Sequence, residues 1–147
     1  MLEPLSPEEA ERINLLSLAF LGDAVHTLFV RDHLLRAHPG KAVDLHHAAA
    51  GIVNAASQAR TYERVFDQLP EREREILKRG RNTKNTQLAK HATAGDYRKA
   101  TGFEALAGYL FLTGQQERLE WLLTQSLAEA GPEAPEGAGS DPRAGKR

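Results

Sequence analysis

The fold of this chain is decided by an apolar stretch near its N-terminus, Ile13-Asn-Leu-Leu-Ser-Leu-Ala-Phe-Leu-Gly-Asp-Ala-Val-His-Thr-Leu-Phe-Val30. Its large apolar residues recur at the three- and four-residue spacing of an α-helix packed against a core. Ser6-Pro7-Glu8-Glu9 upstream has the residues of a helix start, with a capping serine and a proline at the first helical position. The pattern predicts one long helix from Ser6 to about Leu35, ended near His38-Pro39-Gly40.

The rest of the chain also has helical periodicity. Four further segments are predicted: a helical stripe from Lys41 to Phe66, a charged helix from Glu71 to about Lys78, a helix capped by Asp96 that runs to Thr113, and a last helix over Gln115–Ala130. Turn formers and bases over residues 79–86 predict a loop, and Gly114 predicts a helix stop. No convincing strand is present, so the predicted fold class is all-α.

The composition indicates a single domain followed by a tail. A chain of 147 residues suits one domain, which we place at residues 1–130. Residues 131–147 are rich in Gly, Pro, Ala and Glu, so we expect a disordered tail there. The absence of cysteine excludes disulfides, thiolate zinc sites and cysteine nucleophiles. Neither a signal peptide nor a membrane-spanning run is visible, which predicts a soluble, cytoplasmic protein with no membrane partner.

The net charge of −1 hides a local basic segment. Residues 78–99 carry seven Lys or Arg side chains and one acid, Asp96, so this segment has a net charge of +6. A cluster of this kind can bind nucleic acid even when the whole chain is nearly neutral. The alternative is a solvated surface loop, which is the usual role of a run of charges.

Two acids stand alone inside the two most apolar segments. Asp23 is the only charged residue between Ile13 and Val30, and Glu104 is the only one between Ala100 and Thr113. Burying an unpaired carboxylate costs several kcal/mol, so each needs a cation, a hydrogen-bond network or a proton. Two acids on facing helices could hold a metal, and hard oxygen ligands favour Mg²⁺, with Mn²⁺ as a substitute. Alternatively, each acid lies on a narrow polar stripe and faces solvent.

The six histidines show no zinc-binding spacing. His26 and His33 are seven residues apart, and His46 and His47 are adjacent and so point to different sides of a helix. We predict that most of them lie at the surface or near a bound nucleic acid.

Three motifs in order resemble the ribonuclease III family. Leu18-Ala-Phe-Leu-Gly-Asp-Ala-Val25 is similar to its signature helix, and Thr101-Gly-Phe-Glu-Ala-Leu-Ala-Gly-Tyr-Leu-Phe-Leu112 is similar to its second acidic motif. Lys78-Arg-Gly-Arg-Asn-Thr-Lys84, together with Val53-Asn-Ala-Ala-Ser-Gln-Ala-Arg60, resembles the short Mini-ribonuclease III branch. The resemblance covers roughly residues 5–127.

The resemblance implies an all-helical catalytic domain that forms a symmetric homodimer and takes duplex RNA in a shared valley. It implies a magnesium-dependent endoribonuclease that leaves 5′-phosphate and 3′-hydroxyl ends, with precursor ribosomal RNA of the large subunit as substrate. Asp23 and Glu104 match the metal-binding, catalytic carboxylates. The RNA-binding candidates are Lys78, Arg79, Arg81, Asn82 and Lys84, with Lys41 and His46 as weaker ones. In this interpretation Gly80 lets the basic loop approach the RNA backbone closely.

The chain departs from the longer ribonuclease III enzymes at two positions. Those enzymes carry further carboxylates where this chain has Ala19 and Thr101, and the Mini branch also lacks them. The departure leaves the number of metal ions open. Residues 131–147 are too few to form a separate double-stranded-RNA-binding domain.

Three other functions compete with this interpretation. A non-catalytic RNA-binding protein with a degenerate nuclease fold would keep the basic segment, but the chain retains both acids. A helical nucleotide pyrophosphohydrolase needs inward clusters of acids, whereas Glu71-Arg-Glu-Arg-Glu75 alternates with arginine and is predicted to be exposed. A purely structural helical dimer explains the apolar stripes but not the acids within them.

Overall fold

The computed structural model describes residues 2–37, 40–83 and 93–130. Over these ranges the chain forms α1 (Pro7–Glu11), α2 (Leu15–Ala37), α3 (Ala42–Ala50), α4 (Ala55–Val65), α5 (Glu71–Asn82), α6 (Ala94–Leu112) and α7 (Gln116–Ser126). Short 3-10 turns follow α4 and α7, at Phe66–Gln68 and Leu127–Ala130. The described ranges contain no strand, which confirms the all-α prediction. The predicted tail, residues 131–147, lies outside the described residues.

The prediction of one helix from Ser6 to Leu35 is wrong, because the chain breaks between α1 and α2. Asn14 lies at the break and begins the second helix, because its side-chain oxygen accepts a hydrogen bond from the Leu16 amide at 2.8 Å. An Asn side chain competes with the helix for backbone amides and favours a new helix start. Ser6 does cap α1 as predicted, since its hydroxyl oxygen accepts a hydrogen bond from the Glu9 amide at 3.1 Å.

The helical stripe from Lys41 to Phe66 is likewise two helices. Asn54 caps α4 by accepting a hydrogen bond from the Ser57 amide at 2.8 Å. The same side chain donates to the Ala50 carbonyl at the end of α3 at 2.8 Å. One asparagine therefore satisfies backbone groups of both helices and fixes the turn between them.

Helix α5 extends further than predicted, so the predicted loop over residues 79–86 is wrong for residues 79–82. Gly80 is buried against α6, where an added Cβ would lie 2.8 Å from the Gly102 Cα. Gly80 therefore serves packing between helices, and the prediction that it approaches RNA is wrong. Lys84 and the rest of the predicted loop lie outside the described residues. Thr93, rather than Asp96, caps α6 by accepting from the Asp96 amide.

Helix α6 is the centre of the molecule, and α2, α4, α5 and α7 pack around it. Its consecutive residues Ala105–Leu110 are all buried, since a helix that is apolar on all sides must be covered on all sides. Gly114, at a φ of 68°, ends the helix as predicted. A smaller apolar cluster joins the C-terminal half of α2 to α3 through Val30, Leu34, Ala48, Ala49 and Ile52.

Helices α2 and α6 cross with their backbones in close contact. A Cβ at Gly22 would lie 1.7 Å from the Glu104 carbonyl oxygen, and one at Gly108 would lie 2.1 Å from the Leu18 carbonyl oxygen. Two glycines therefore let the helices meet backbone to backbone. Within the described ranges, no helix is long and apolar enough to cross a membrane.

Candidate active site

The α2–α6 crossing brings the two isolated acids together, as the sequence predicted. Gly22 packs on the backbone of Glu104, and Asp23 is the next residue along α2. The side chains of Asp23 and Glu104 lie within hydrogen-bonding reach of each other. Their proximity is thus a direct result of the glycine contact between the two helices.

The neighbourhood of Glu104 strongly disfavours its ionised form. Burial, followed by the hydrogen-bonding contact and negative charge of Asp23, raises the pKa of Glu104 to about 9, whereas a hydrogen bond from Gln58 acts in the opposite direction. Without a cation, Glu104 is therefore protonated at neutral pH. A carboxyl pair of this kind can release the proton on Glu104 when a cation binds between the two side chains.

The two acids differ in exposure. Glu104 is half-buried and Asp23 is exposed, so the prediction that both acids are buried is wrong for Asp23. The alternative of a solvent-facing acid therefore applies to Asp23, but its side chain still meets Glu104. The pair therefore has a buried side at Glu104 and an exposed side at Asp23.

No further acid joins the pair among the residues that the structure describes. Ala19 and Thr101 are both buried, and the Thr101 hydroxyl donates to the Tyr97 carbonyl of its own helix at 3.0 Å. No group of three or more His, Asp or Glu side chains in these ranges is arranged to hold a metal. A cation at this site would have two protein carboxylates and would fill its other positions with water or substrate oxygens.

A buried polar network lies behind Glu104. His26 is fully buried, its Nε2 lies 2.9 Å from the Ser126 Oγ, and its Nδ1 lies 3.1 Å from the Gln58 Nε2. His26 is therefore an exception to the prediction that most histidines lie at the surface, as the exposed His33, His46 and His47 do. Burial lowers the pKa of His26 to about 4, although the charge of Asp23 opposes the shift, so the ring is neutral at pH 7.

The basic candidates gather at the C-terminal end of α5. Lys78 is half-buried and its Nζ lies 4.0 Å from a Glu75 carboxylate oxygen, and Arg79 is exposed. The Arg81 guanidinium lies 5.9 Å from the centre of the Tyr62 ring, and its Nε donates to the Asn82 side chain at 3.1 Å. The Gly80–Gly102 contact places this end of α5 against α6 two residues before Glu104.

The sequence matches those of known ribonucleases. The family model for the ribonuclease III domain matches residues 16–115. The chain is 46% identical over 115 residues to the Mini-ribonuclease 3 of Brevibacillus brevis, which covers 78% of this chain and 86% of that protein. It is 40% identical over 125 residues to the Mini-ribonuclease 3 of Thermoanaerobacter sp., covering 85% and 88%. This chain belongs to the Mini-ribonuclease III family.

A solved structure supports the same assignment at the level of the fold. The crystal structure of a protein from Fusobacterium nucleatum superposes with a TM-score of 0.73 at 28% identity, covering 80% of this chain and 93% of that one. Together, these matches confirm the ribonuclease III-like fold predicted from the three motifs.

In this Mini-ribonuclease III domain, two RNA-binding candidates lie apart from the others. Lys41 precedes α3 and His46 is on it, and both are exposed. Helix α3 packs on the C-terminal half of α2, whereas the α5 candidates lie against α6. The described contacts therefore do not join Lys41 or His46 to the acid pair.

The acidic run in α5 is only partly exposed. Glu73 is buried, and its two carboxylate oxygens accept from the Arg118 guanidinium at 2.9 and 3.0 Å. The prediction of an exposed run is therefore wrong for Glu73, and it holds for Glu71 and Glu75. Because Arg118 engages both oxygens of Glu73, this acid is not free to hold the metal of a pyrophosphohydrolase.

Proposed function

We propose that this chain hydrolyses phosphodiester bonds of double-stranded RNA at a Mg²⁺ site held by Asp23 and Glu104, leaving 5′-phosphate and 3′-hydroxyl ends. The endoribonuclease class follows from membership in the Mini-ribonuclease III family. The observation that carries the assignment of the site is the meeting of two carboxylates from different helices at a glycine crossing.

The residues present fit Mg²⁺. The two carboxylates supply hard oxygen donors, and Mg²⁺ is commonly held by one or two protein carboxylates together with water and phosphate oxygens. Their mutual repulsion raises the free energy of the doubly ionised pair, which a divalent cation would relieve. Mn²⁺ has the same ligand preference and should substitute.

Each acid has a distinct part in the proposed reaction. Glu104, held on its buried side by Gln58, would fix the position of the cation, and exposed Asp23 would complete its binding at the mouth of the site. A Mg²⁺ ion held by the two carboxylates would lower the pKa of nearby water and offset the charge that develops on the scissile phosphate. Because both carboxylates would hold the cation, the oxygen that adds to the phosphorus would come from water; the bond from phosphorus to the 3′-oxygen would break, and that oxygen would take up a proton to give the 3′-hydroxyl end.

The RNA would lie along the C-terminal end of α5. A-form duplexes are recognised mainly through phosphate and 2′-hydroxyl contacts, which suits Lys78, Arg79, Arg81 and Asn82. Arg79 is the best placed of these because it is exposed, whereas Arg81 is half-buried over Tyr62. We keep Lys41 and His46 as weaker candidates that would contact a more distant part of the duplex, and Lys84 as a candidate within the same basic segment.

We also propose that the domain is a symmetric homodimer, as is typical of the family. Helix α2 exposes Phe20 (83%), Leu28 (68%) and Leu35 (57%), and their spacing places them on one side of the helix. Large exposed apolar side chains in a row mark a protein interface. Sedimentation should therefore give twice the chain mass of 16.2 kDa, and Phe20→Glu should give the monomer mass. A wild-type protein that sediments as a monomer at micromolar concentration would contradict the dimer.

The natural substrate that we propose is precursor ribosomal RNA of the large subunit, which places the enzyme in the cytoplasm. The support is the family resemblance. A transcript that carries the paired ends of such a precursor should be cut at one defined position. Cleavage spread evenly over this transcript and over unrelated duplexes would contradict the substrate assignment while leaving the nuclease activity intact.

The test of the site uses a long labelled RNA duplex and the matching single strand, each with Mg²⁺ or with EDTA. Wild-type protein should cut only the duplex, and only with metal. Asp23→Asn and Glu104→Gln keep the size of the side chain and remove its charge, so both should lose cleavage. Asp32→Asn is the matched control on α2, because Asp32 is exposed and pairs only with exposed Arg36 among the described contacts.

Two outcomes would overturn the proposed site. Wild-type cleavage rates in Glu104→Gln would remove Glu104 from it. Duplex binding without cleavage under every divalent metal would favour the non-catalytic RNA-binding alternative, and the roles of both acids would then be withdrawn.

A further inference from the structure

The donors and acceptors of the polar network behind Glu104 can be assigned one after another, beginning with the Ser126 hydroxyl. The Ser126 hydroxyl donates to the Leu123 carbonyl at 2.6 Å within α7. A hydroxyl has one proton, and with that proton on the Leu123 carbonyl the contact between the Ser126 Oγ and the His26 Nε2 at 2.9 Å is one in which Ser126 accepts. This arrangement requires a proton on the Nε2 of His26.

The tautomer of His26 fixes the next contact. A neutral imidazole with a proton on Nε2 has a bare Nδ1, which can only accept. The Gln58 Nε2 lies 3.1 Å from this atom and therefore donates to it. The orientation of the Gln58 amide is thus determined, with its NH₂ group toward His26.

The second proton of the same NH₂ group is then available to Glu104, whose side chain lies within hydrogen-bonding reach of Gln58. Gln58 forms a side-chain hydrogen bond that favours the ionised form of the Glu104 carboxylate. Gln58 is only 4% exposed, so its amide does not reach solvent or substrate. The group that orients this amide, His26, is held edge-on against Phe103, the residue before Glu104, at a centroid distance of 4.9 Å.

We propose that Gln58 is a positioning residue: its amide, oriented by His26 and Ser126, holds one oxygen of the Glu104 carboxylate so that the other faces Asp23 and the cation. This inference rests on the metal site proposed above. A bond to the back of a ligand carboxylate limits its rotation and stabilises the charge that it needs when it binds metal. Buried groups of this kind change metal affinity or activity by about 10- to 100-fold when they are replaced.

A purely structural role for Gln58 makes a different prediction. Replacing a buried polar group that only stabilises the fold lowers the free energy of unfolding and leaves the affinity of the folded protein for metal unchanged. Metal affinity measured on folded protein therefore separates the two roles. RNA binding should not change in either case, because the hydrogen bonds that the Gln58 side chain makes among the described residues go to His26 and Glu104 and not to the basic end of α5.

The first measurement is the ¹⁵N spectrum of the His26 ring in the wild-type protein. The network requires the Nε2–H tautomer with a hydrogen-bonded, bare Nδ1. The Nδ1–H tautomer would overturn the proposal, because Gln58 would then have to accept at that position with its oxygen and its NH₂ group would be reoriented. This measurement needs no variant, so it decides even if the substitutions below prevent folding.

The second measurement is Mn²⁺ binding by electron paramagnetic resonance, beside cleavage kinetics. Gln58→Met keeps the length of the side chain and removes both N–H groups. Its Mn²⁺ dissociation constant should rise about 10- to 100-fold and its kcat should fall, with the KM for duplex RNA within about twofold of wild type. Gln68→Met makes the same substitution at an exposed position and should match wild type.

Glu104→Gln separates the two proposals. If it loses Mn²⁺ binding while Gln58→Met binds as tightly as wild type, the positioning role is wrong and the metal site stands. If Glu104→Gln itself binds Mn²⁺ like wild type, the metal site is wrong and the positioning role falls with it.

Discussion

The glycine crossing of α2 and α6 gives the sharpest prediction about this domain. In Gly22→Ala the new Cβ would lie 1.7 Å from the Glu104 carbonyl oxygen, where ordinary contact begins at 3.4 Å. The obstacle is backbone, which cannot rotate away, so the helices must separate locally by roughly 1.7 Å. A separation of this size removes most of the dispersion attraction between the helices at the crossing, since a gap of even ~1 Å already removes up to about half of it.

The expected cost follows from opposing effects. Overpacking a core costs about 1–3 kcal/mol and occasionally more, and contact with rigid backbone belongs at the upper end. Replacing glycine by alanine within a helix also stabilises the helical conformation by up to about 1 kcal/mol. We therefore expect Gly22→Ala to lower the free energy of unfolding by about 2–3 kcal/mol, and the melting temperature by roughly 5–10 °C. Cleavage should also fall, because the separation moves Asp23 away from Glu104.

The control lies at the start of α6. Gly95 has no atom within 4 Å of its ideal Cβ, so Gly95→Ala should leave cleavage unchanged and stability equal or higher by up to about 1 kcal/mol. Thermal unfolding followed by circular dichroism and duplex cleavage at 25 °C measure both effects. A Gly22→Ala protein that melts within about 2 °C of wild type and cuts at the wild-type rate would refute the reasoning.

Three further predictions concern charge. Burial lowers the pKa of His26 from 6.5 to about 4 in the folded protein, so the unfolded state takes up a proton first as the pH falls. This difference should lower the free energy of unfolding by about 3 kcal/mol between pH 6.5 and 4. Urea unfolding of His26→Gln should show a smaller decrease in the free energy of unfolding over the same pH range. Glu73→Ala should lower the free energy of unfolding in urea by about 1–3 kcal/mol, because it leaves Arg118 without its bidentate partner. Glu75→Ala removes an exposed acid and should lower it by less than about 0.5 kcal/mol. Equal effects of the two substitutions would contradict the burial argument. Arg79→Ala should weaken duplex binding, measured by fluorescence anisotropy. The slope of log affinity against log salt concentration should become shallower by the amount that about one phosphate contact contributes. A steeper slope would exclude this contact.

The sequence was sufficient for the fold class and for the acid pair, for an identifiable reason. Asp23 and Glu104 are the only charges in two long apolar segments, and such isolation is visible without a structure. The two helix breaks were missed because each depends on one asparagine whose side chain competes with the helix backbone. Asn14 and Asn54 do not interrupt the apolar periodicity, so the pattern continues across both breaks.

The supporting side of the site was missed because its members are distant in the chain and follow no motif with an obvious chemistry. His26, Gln58 and Ser126 are polar residues in three different helices, and only the packing around α6 brings them together. The one available signal was His26, a polar ring within an otherwise apolar stretch. Gly80 was misinterpreted for a related reason: a glycine among bases suggests a loop, whereas here it allows two helices to touch.

The hydrogen bonds from Leu123 to Glu104 also bear on how the enzyme is made. Their members come from α2, α4, α6 and α7, so the last of them is synthesised after the other three helices. A growing chain that has not yet released α7 from the ribosome lacks the hydroxyl that orients His26, and the amide of Gln58 is then not fixed. We therefore expect a newly made enzyme to acquire full activity only after α7 has emerged from the ribosome, itself a particle built largely of RNA.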